Sequence, residues 1–283
     1  MENLYFLSKR LMLLASILAL LSCSQEEKID SDYPVNSTSS IFEKMKAEKL
    51  NVFKGPEVTI GFGKVRSWVS LNKEGFPMEI GIEMTKEALM NPERDKKKSP
   101  LGASMNTIPL HLKAKQATPF DHIGFDWNPE GHEPPGMFDV PHFDIHFYLI
   151  SYQDRMNIPA WSESTDAYFN NYPPEGYMPA DYFTPPGADT AEEKMGKHWL
   201  PGNFLDLLPF SKIMILGTYD GHLTFIEPMI TTEYLMTGED FSMSFSQPDH
   251  FEKAGNYPTK YNIYHDMATG KIYITLSHFV ARN

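Results

Sequence analysis

Residues 141–148 read PHFDIHFY. His142, Asp144 and His146 recur at every second position, and Phe143, Ile145 and Phe147 fill the places between. A period of two is the period of a strand, whose side chains point alternately to opposite faces. A helix would bring His142 and His146 together, but FDIHFYLI is too aromatic and β-branched to favour one. The stretch therefore predicts a strand with Phe143, Ile145, Phe147 and Leu149 on its core face. Its ionisable face is either the wet side of a half-buried sheet or the lining of a site. Strand geometry limits what such a site can be. Side chains two apart are spaced roughly 6–7 Å at the backbone and can share an ion, whereas those four apart, at about 13 Å, in general cannot. Asp144 is then the pivot, able to pair with His142 or with His146 or to orient one of them.

The same period recurs along the chain. VTIGFGKVRSWVSL (58–71) and PMEIGIEM (77–84) flank the turn-like NKEG and predict a hairpin. TIPLHLKA (107–114) adds a strand. SKIMILGTY (211–219) and HLTFIEPMI (222–230) flank Asp220-Gly221, a tight-turn dipeptide. KYNIYHD and KIYITLSHFV form a last hairpin around MATG. Short helices are expected at 41–50, in TKEALM (85–90), in SYQDRMN (151–157) and in TTEYLM (231–236). Ser151 and Asp154 stand at capping-box spacing in the third of these. Residues 159–209, rich in Pro, Gly and Tyr, are too long for a plain loop and predict a lid or a disordered segment. Their aromatics favour an ordered wrap. The fold class is mainly β: an antiparallel barrel or sandwich with a few short helices and one long irregular segment.

The chain begins differently. Lys9 and Arg10 precede LMLLASILALL, which ends at Ser22 and Cys23. A basic start, a short apolar run and a small residue before a cysteine predict a secretory signal over 1–22. LLSC resembles the bacterial lipobox, in which the signal is cut before the cysteine and the cysteine is lipidated. Cys23 is the only cysteine, so an intramolecular disulfide is excluded. Residues 23–40 then form a flexible tether and 41–283 a single β-rich domain. The acidic SQEEKIDSD behind Cys23 resembles the surface-export signal of Bacteroidetes-type lipoproteins. It is equally an ordinary solvated tether. These features place the protein in the bacterial cell envelope, as an outer-membrane lipoprotein that meets the membrane through its anchor. A net charge of −12 argues against nucleic acid or anionic lipid as a partner.

Several standard chemistries are excluded. GFGK (61–64) lacks phosphate-loop spacing, and neither GxSxG nor HExxH occurs. The His/Asp/His strand remains, with partners to be found elsewhere. His198 in MGKHWL stands where the irregular segment returns to the body. Glu227 is in phase with Leu223, Phe225 and Met229, and a carboxylate on an apolar face needs a cation, a hydrogen-bond partner or a proton. The candidate metal ligands are therefore His142, Asp144, His146, His198 and Glu227, suited to a zinc-like divalent ion. His132, His222, His265 and His278 are expected at the surface or in pairing roles. The blander alternative makes the His142 face plain solvent surface, Glu227 an exposed strand end and His198 an ordinary loop residue.

PPGMFDVPHFDIHFYLIS (134–151), MGKHWL (195–200) and LGTYDGHLTFIEPMIT (216–231) together resemble a family of uncharacterised secreted bacterial proteins typified by a Thermus hypothetical protein. The resemblance spans roughly 55–280. It implies that the three blocks belong to one domain, and it implies no activity. Three readings follow. The first is an envelope protein whose His/Asp/Glu site binds a divalent metal or a small polar ligand. The second is a metal-dependent, hydrolase-like enzyme with Glu227 as general base. The third is a structural or interaction lipoprotein without a site.

Overall fold

Alternating sequence becomes two antiparallel sheets in the computed structural model, which describes residues 41–90, 104–134 and 136–283. The signal over 1–22, Cys23 and the tether to residue 40 lie outside the described residues. The first sheet runs β1 (Asn51–Ile60), β2 (Gly63–Leu71), β3 (Pro77–Thr85), β14 (Lys271–Arg282), β13 (Gly255–Asp266), β12 (Phe241–Ser244). The second runs β4 (Ser104–Pro109), β5 (His122–Asn128), β6 (His142–Tyr148), β11 (His222–Thr231), β10 (Lys212–Tyr219), β9 (Gly196–Pro201), β7 (Tyr182–Phe183). A two-residue strand, β8 (Ala191–Glu192), pairs with β9. Neither sheet closes on itself, so the architecture is a sandwich and not a barrel.

The core lies between the sheets. Val65, Val69, Ile80, Ile82, Ile263, Ile274 and Leu276 of the first sheet pack in one cluster with Ile123, Phe125, Phe143, Ile145, Phe147, Leu216 and Ile226 of the second. Strand alternation then forces Asp126, His142, Asp144, His146 and Glu227 onto the far face of the second sheet. That face is not open to water. A second apolar cluster covers it, built from Tyr148, Leu200, Ile213, Ile215, Phe225 and Met229 of the sheet with Phe138 and Phe210. Leu223 departs from the expected phase with Glu227. A register shift between Gly217 and Thr218 turns it back into the inter-sheet core, while Phe225 and Met229 stay beside Glu227.

The cover comes from the chain between β6 and β10: α4 (Tyr152–Met156), then the long irregular segment with α5 (Asp166–Phe169), β7, β8, β9 and a 3-10 turn at Phe204–Leu207. Ser151 caps α4 by accepting from the Asp154 N–H at 3.1 Å. Arg155 is buried over the Tyr148 ring, 4.2 Å from its centroid, and its Nε donates to the Lys194 carbonyl at 3.1 Å. The Tyr182 hydroxyl donates to the Met214 carbonyl at 3.1 Å. These contacts pin the segment to the sheet, the ordered alternative of the two expected.

Several sequence expectations change in detail. The run 58–71 is two strands joined by a tight turn at Gly61-Phe62, with Gly61 at φ 56°. TIPLHLKA ends its strand at Pro109, and Leu112–Ala117 form a helix capped by His111. Strands β5 and β12 were not expected, and β5 proves central to the site. Of the remaining short helices, Ile41–Ala47 and Lys86–Met90 lie within the expected segments, and Thr232–Thr237 runs one residue past its own.

Candidate metal centre

Antiparallel pairing sets β6 between β5 and β11, and this order assembles the site. In register, Asp126 of β5 faces Asp144 of β6, and Met229 of β11 faces Asp144 from the other side. The same register brings Glu227 level with His146. His198 arrives from β9, two strands further, where it pairs with Gly217 of β10. It is a strand residue, where the blander alternative made it an ordinary loop one. Gly217 matters here because it has no side chain. A Cβ there would lie 2.0 Å from the Phe225 ring, and that ring buttresses both His146 and His198, with centroids 4.7 and 5.0 Å away.

The five candidate ligands share one face but divide into two groups. His146, His198 and Glu227 form the first, and His132, His142 and Asp144 the second; within each group the potential ligand atoms lie within 4.8 Å of one another. His142 and His146 thus belong to different groups, as their spacing required. Asp144 joins His142 and not His146. His132, expected from sequence at the surface or in a pairing role, keeps a third of its side chain exposed and completes the second group from the loop before β6.

The histidines are oriented alike. A carbonyl can only accept, so a ring nitrogen beside one must donate. His198 Nδ1 donates to the Thr190 carbonyl at 3.0 Å. His142 Nδ1 donates to the Val140 carbonyl at 2.7 Å, and His132 Nδ1 to the Glu133 carbonyl at 2.8 Å. His146 Nδ1 stands 3.2 Å from the Asp126 carboxylate. In every case Nε2 is left facing a carboxylate. His146 Nε2 lies 3.3 Å from Glu227 Oε1, and His198 Nε2 lies 3.8 Å from Glu227 Oε2. His142 Nε2 is 3.2 Å from Asp144 Oδ1, and His132 Nε2 is 3.7 Å from Asp144 Oδ2. Metal-binding imidazoles are held in this way, with the second nitrogen tied to a carbonyl or carboxylate and the first free to coordinate.

The two groups differ in how their polar atoms are satisfied. In the second, Asn128 donates to Asp144 Oδ2 at 2.6 Å and lies 3.3 Å from His142 Nε2. Burial acts to raise the Asp144 carboxyl, but the neighbouring His142 and His132 hold it well below the usual carboxylate range. In the first group, both ring nitrogens of His146, both oxygens of Asp126 and Glu227 Oε2 are buried without an aligned hydrogen bond. Their short separations are therefore approaches and not bonds. Burial pushes the Glu227 carboxyl well above its ordinary range, reinforced by the charges of Asp144 and Asp126. Burial, then His146, pushes the His198 imidazole down to about 3, so it stays neutral. Among the described residues, no Lys or Arg forms an ion pair with Asp126, Asp144 or Glu227. Asp126 and Glu227, buried without a Lys or Arg beside them, need protons, hydrogen-bond donors or a metal.

Sequence reasoning missed Asp126, Asn128 and His132. For the first two a signal existed: HIGFDWN alternates Ile123, Phe125 and Trp127 with Gly124, Asp126 and Asn128, as HFDIHFY does.

Fold and site define a class, a two-sheet antiparallel β protein with histidine–carboxylate clusters buried beneath a wrapped segment. Residues 72–127 match the TTHB210-like family model, described as hypothetical protein TTHB210, a Thermus family of unknown function. The match runs from the turn before β3 to Trp127, so it includes Asp126 and stops short of the other cluster residues. No curated protein and no solved structure matches the chain.

Proposed function

We propose that this protein binds a divalent, zinc-like ion through His146 Nε2, His198 Nε2 and a Glu227 carboxylate oxygen. One observation carries the reading: both imidazoles have Nδ1 turned away and Nε2 aimed at one buried carboxylate, whose Oε2 has no aligned partner. Two histidines and a carboxylate are a common donor set for zinc, and Asp126 would orient His146 from behind. Three protein ligands leave a coordination position open, and this favours a second reading as a metal-dependent hydrolase. In that case Glu227 is a ligand, and the general base is another group. Elemental analysis of untagged protein purified without chelator should find a stoichiometric transition metal. Metal-free protein that takes up no zinc, cobalt or manganese on titration would sink both readings.

The location is part of the proposal. The signal, Cys23 and the acidic tether support an outer-membrane lipoprotein, carried by acyl chains. Among the described residues no helix is long and apolar enough to cross a membrane. Cys23→Ser should move the protein from the membrane fraction to the soluble one. Unchanged fractionation would refute the anchor.

A further inference from the structure

We propose that the second cluster, His132, His142 and Asp144, takes a divalent ion of its own, so that the protein carries two ions side by side. The inference rests on the first site being a metal site, and adds a distinct ion with distinct ligands.

Three observations support it. First, His132 and His142 are held as His198 is in the first site: each donates Nδ1 to a backbone carbonyl and presents Nε2 to one carboxylate. Asp144 Oδ1 is buried and has no aligned hydrogen bond. Second, Asp126 and Asp144 face each other directly across β5 and β6. Like charges in that position destabilise a sheet unless something positive lies near both. Third, three carboxylates share this face. Asp126, Asp144 and Glu227 are all buried. Among the described residues no Lys or Arg forms an ion pair with any of them.

Register fixes the spacing. Glu227 is level with His146 and Met229 with Asp144, so the two ligand sets are displaced by two residues along the strands. At about 3.3 Å per residue the ions would stand roughly 6–7 Å apart. That exceeds the ~3.5–4 Å of centres bridged by a single oxygen. Two separate mononuclear sites result, each with its own affinity.

The test is zinc stoichiometry of the full chain by equilibrium dialysis, for the parent, His132→Ala and His198→Ala. His132 keeps a third of its side chain exposed, so its removal is tolerated by packing. The expected values are two equivalents for the parent and one for each variant, and the variants should lose different sites. Doubly manganese-loaded parent should show dipolar broadening in its electron paramagnetic spectrum, and neither variant should. A parent that saturates at one equivalent, retained in His132→Ala, overturns the second site and leaves the first standing. Loss of all uptake in His132→Ala shows one shared ion and also overturns it. No uptake by the parent overturns both readings.

Discussion

Glu227→Gln should change the protein's stability in opposite directions with and without metal. In the parent, zinc at a thousandfold excess over its dissociation constant adds about 4 kcal/mol to the folded state. For a domain of this size that corresponds to a rise in Tm of roughly 8–16 °C. Glutamine has the same shape but cannot supply an anionic ligand. Loss of partners that merely orient a ligand lowers affinity about 10–100-fold, so loss of the ligand itself should exceed that. The zinc-dependent rise should therefore shrink or vanish. In the metal-free state the sign reverses. The buried Glu227 carboxyl titrates well above its ordinary range because of burial and the charges of Asp144 and Asp126. A raised carboxyl contributes stability below the unfolded value near 4.5, and loses it as pH rises through the folded value. Metal-free Glu227→Gln escapes that loss and should melt higher than the metal-free parent under alkaline conditions. Calorimetric scans of both proteins, with and without zinc, measure both effects. A glutamine variant that keeps the full zinc response would remove Glu227 from the site.

Zinc binding at the first site, followed in His132→Ala so that only that site fills, should also release about one proton near neutral pH, with Glu227 as its source. Binding requires the carboxylate, and the metal-free site holds the acid form because burial raises this group. His198, kept neutral down to about 3, contributes no proton at neutral pH. Below the Glu227 titration, affinity should rise about tenfold per pH unit, and above it the dependence should flatten. Titration calorimetry in two buffers of different ionisation enthalpy counts the proton directly. A count of zero across pH 6–8 would mean that Glu227 is already ionised without metal, and the electrostatic account of the first site would fall.

Much of this was legible in PHFDIHFY. Alternation is a local property, so the chain alone fixes that His142, Asp144 and His146 share a face opposite Phe143, Ile145 and Phe147. The rise per residue, also local, already barred His142 and His146 from a common ion. The tight turn at Asp220-Gly221 and the apolar neighbours Phe225 and Met229 marked Glu227 as a carboxylate needing a partner. The run 58–71 misled because a two-residue turn at Gly61-Phe62 hardly interrupts the alternation on either side.

Which face is buried, and what meets what, is set between strands distant in sequence. The strand order β5, β6, β11 brings Asp126, Asp144 and Glu227 onto one surface, and no local pattern encodes that order. The second-sheet face is dry because the long segment returns over it with Met195, Phe204 and Leu207, held by Arg155 on the Lys194 carbonyl, and because Phe138 and Phe210 pack beside it. His132 shows the limit most plainly. Its sequence neighbours are polar and turn-forming, so by local rules it belongs to solvent. The loop fold that ties its Nδ1 to the Glu133 carbonyl instead delivers its Nε2 to Asp144, because a carboxylate buried on that face draws in whatever cationic or donor groups the chain can bring.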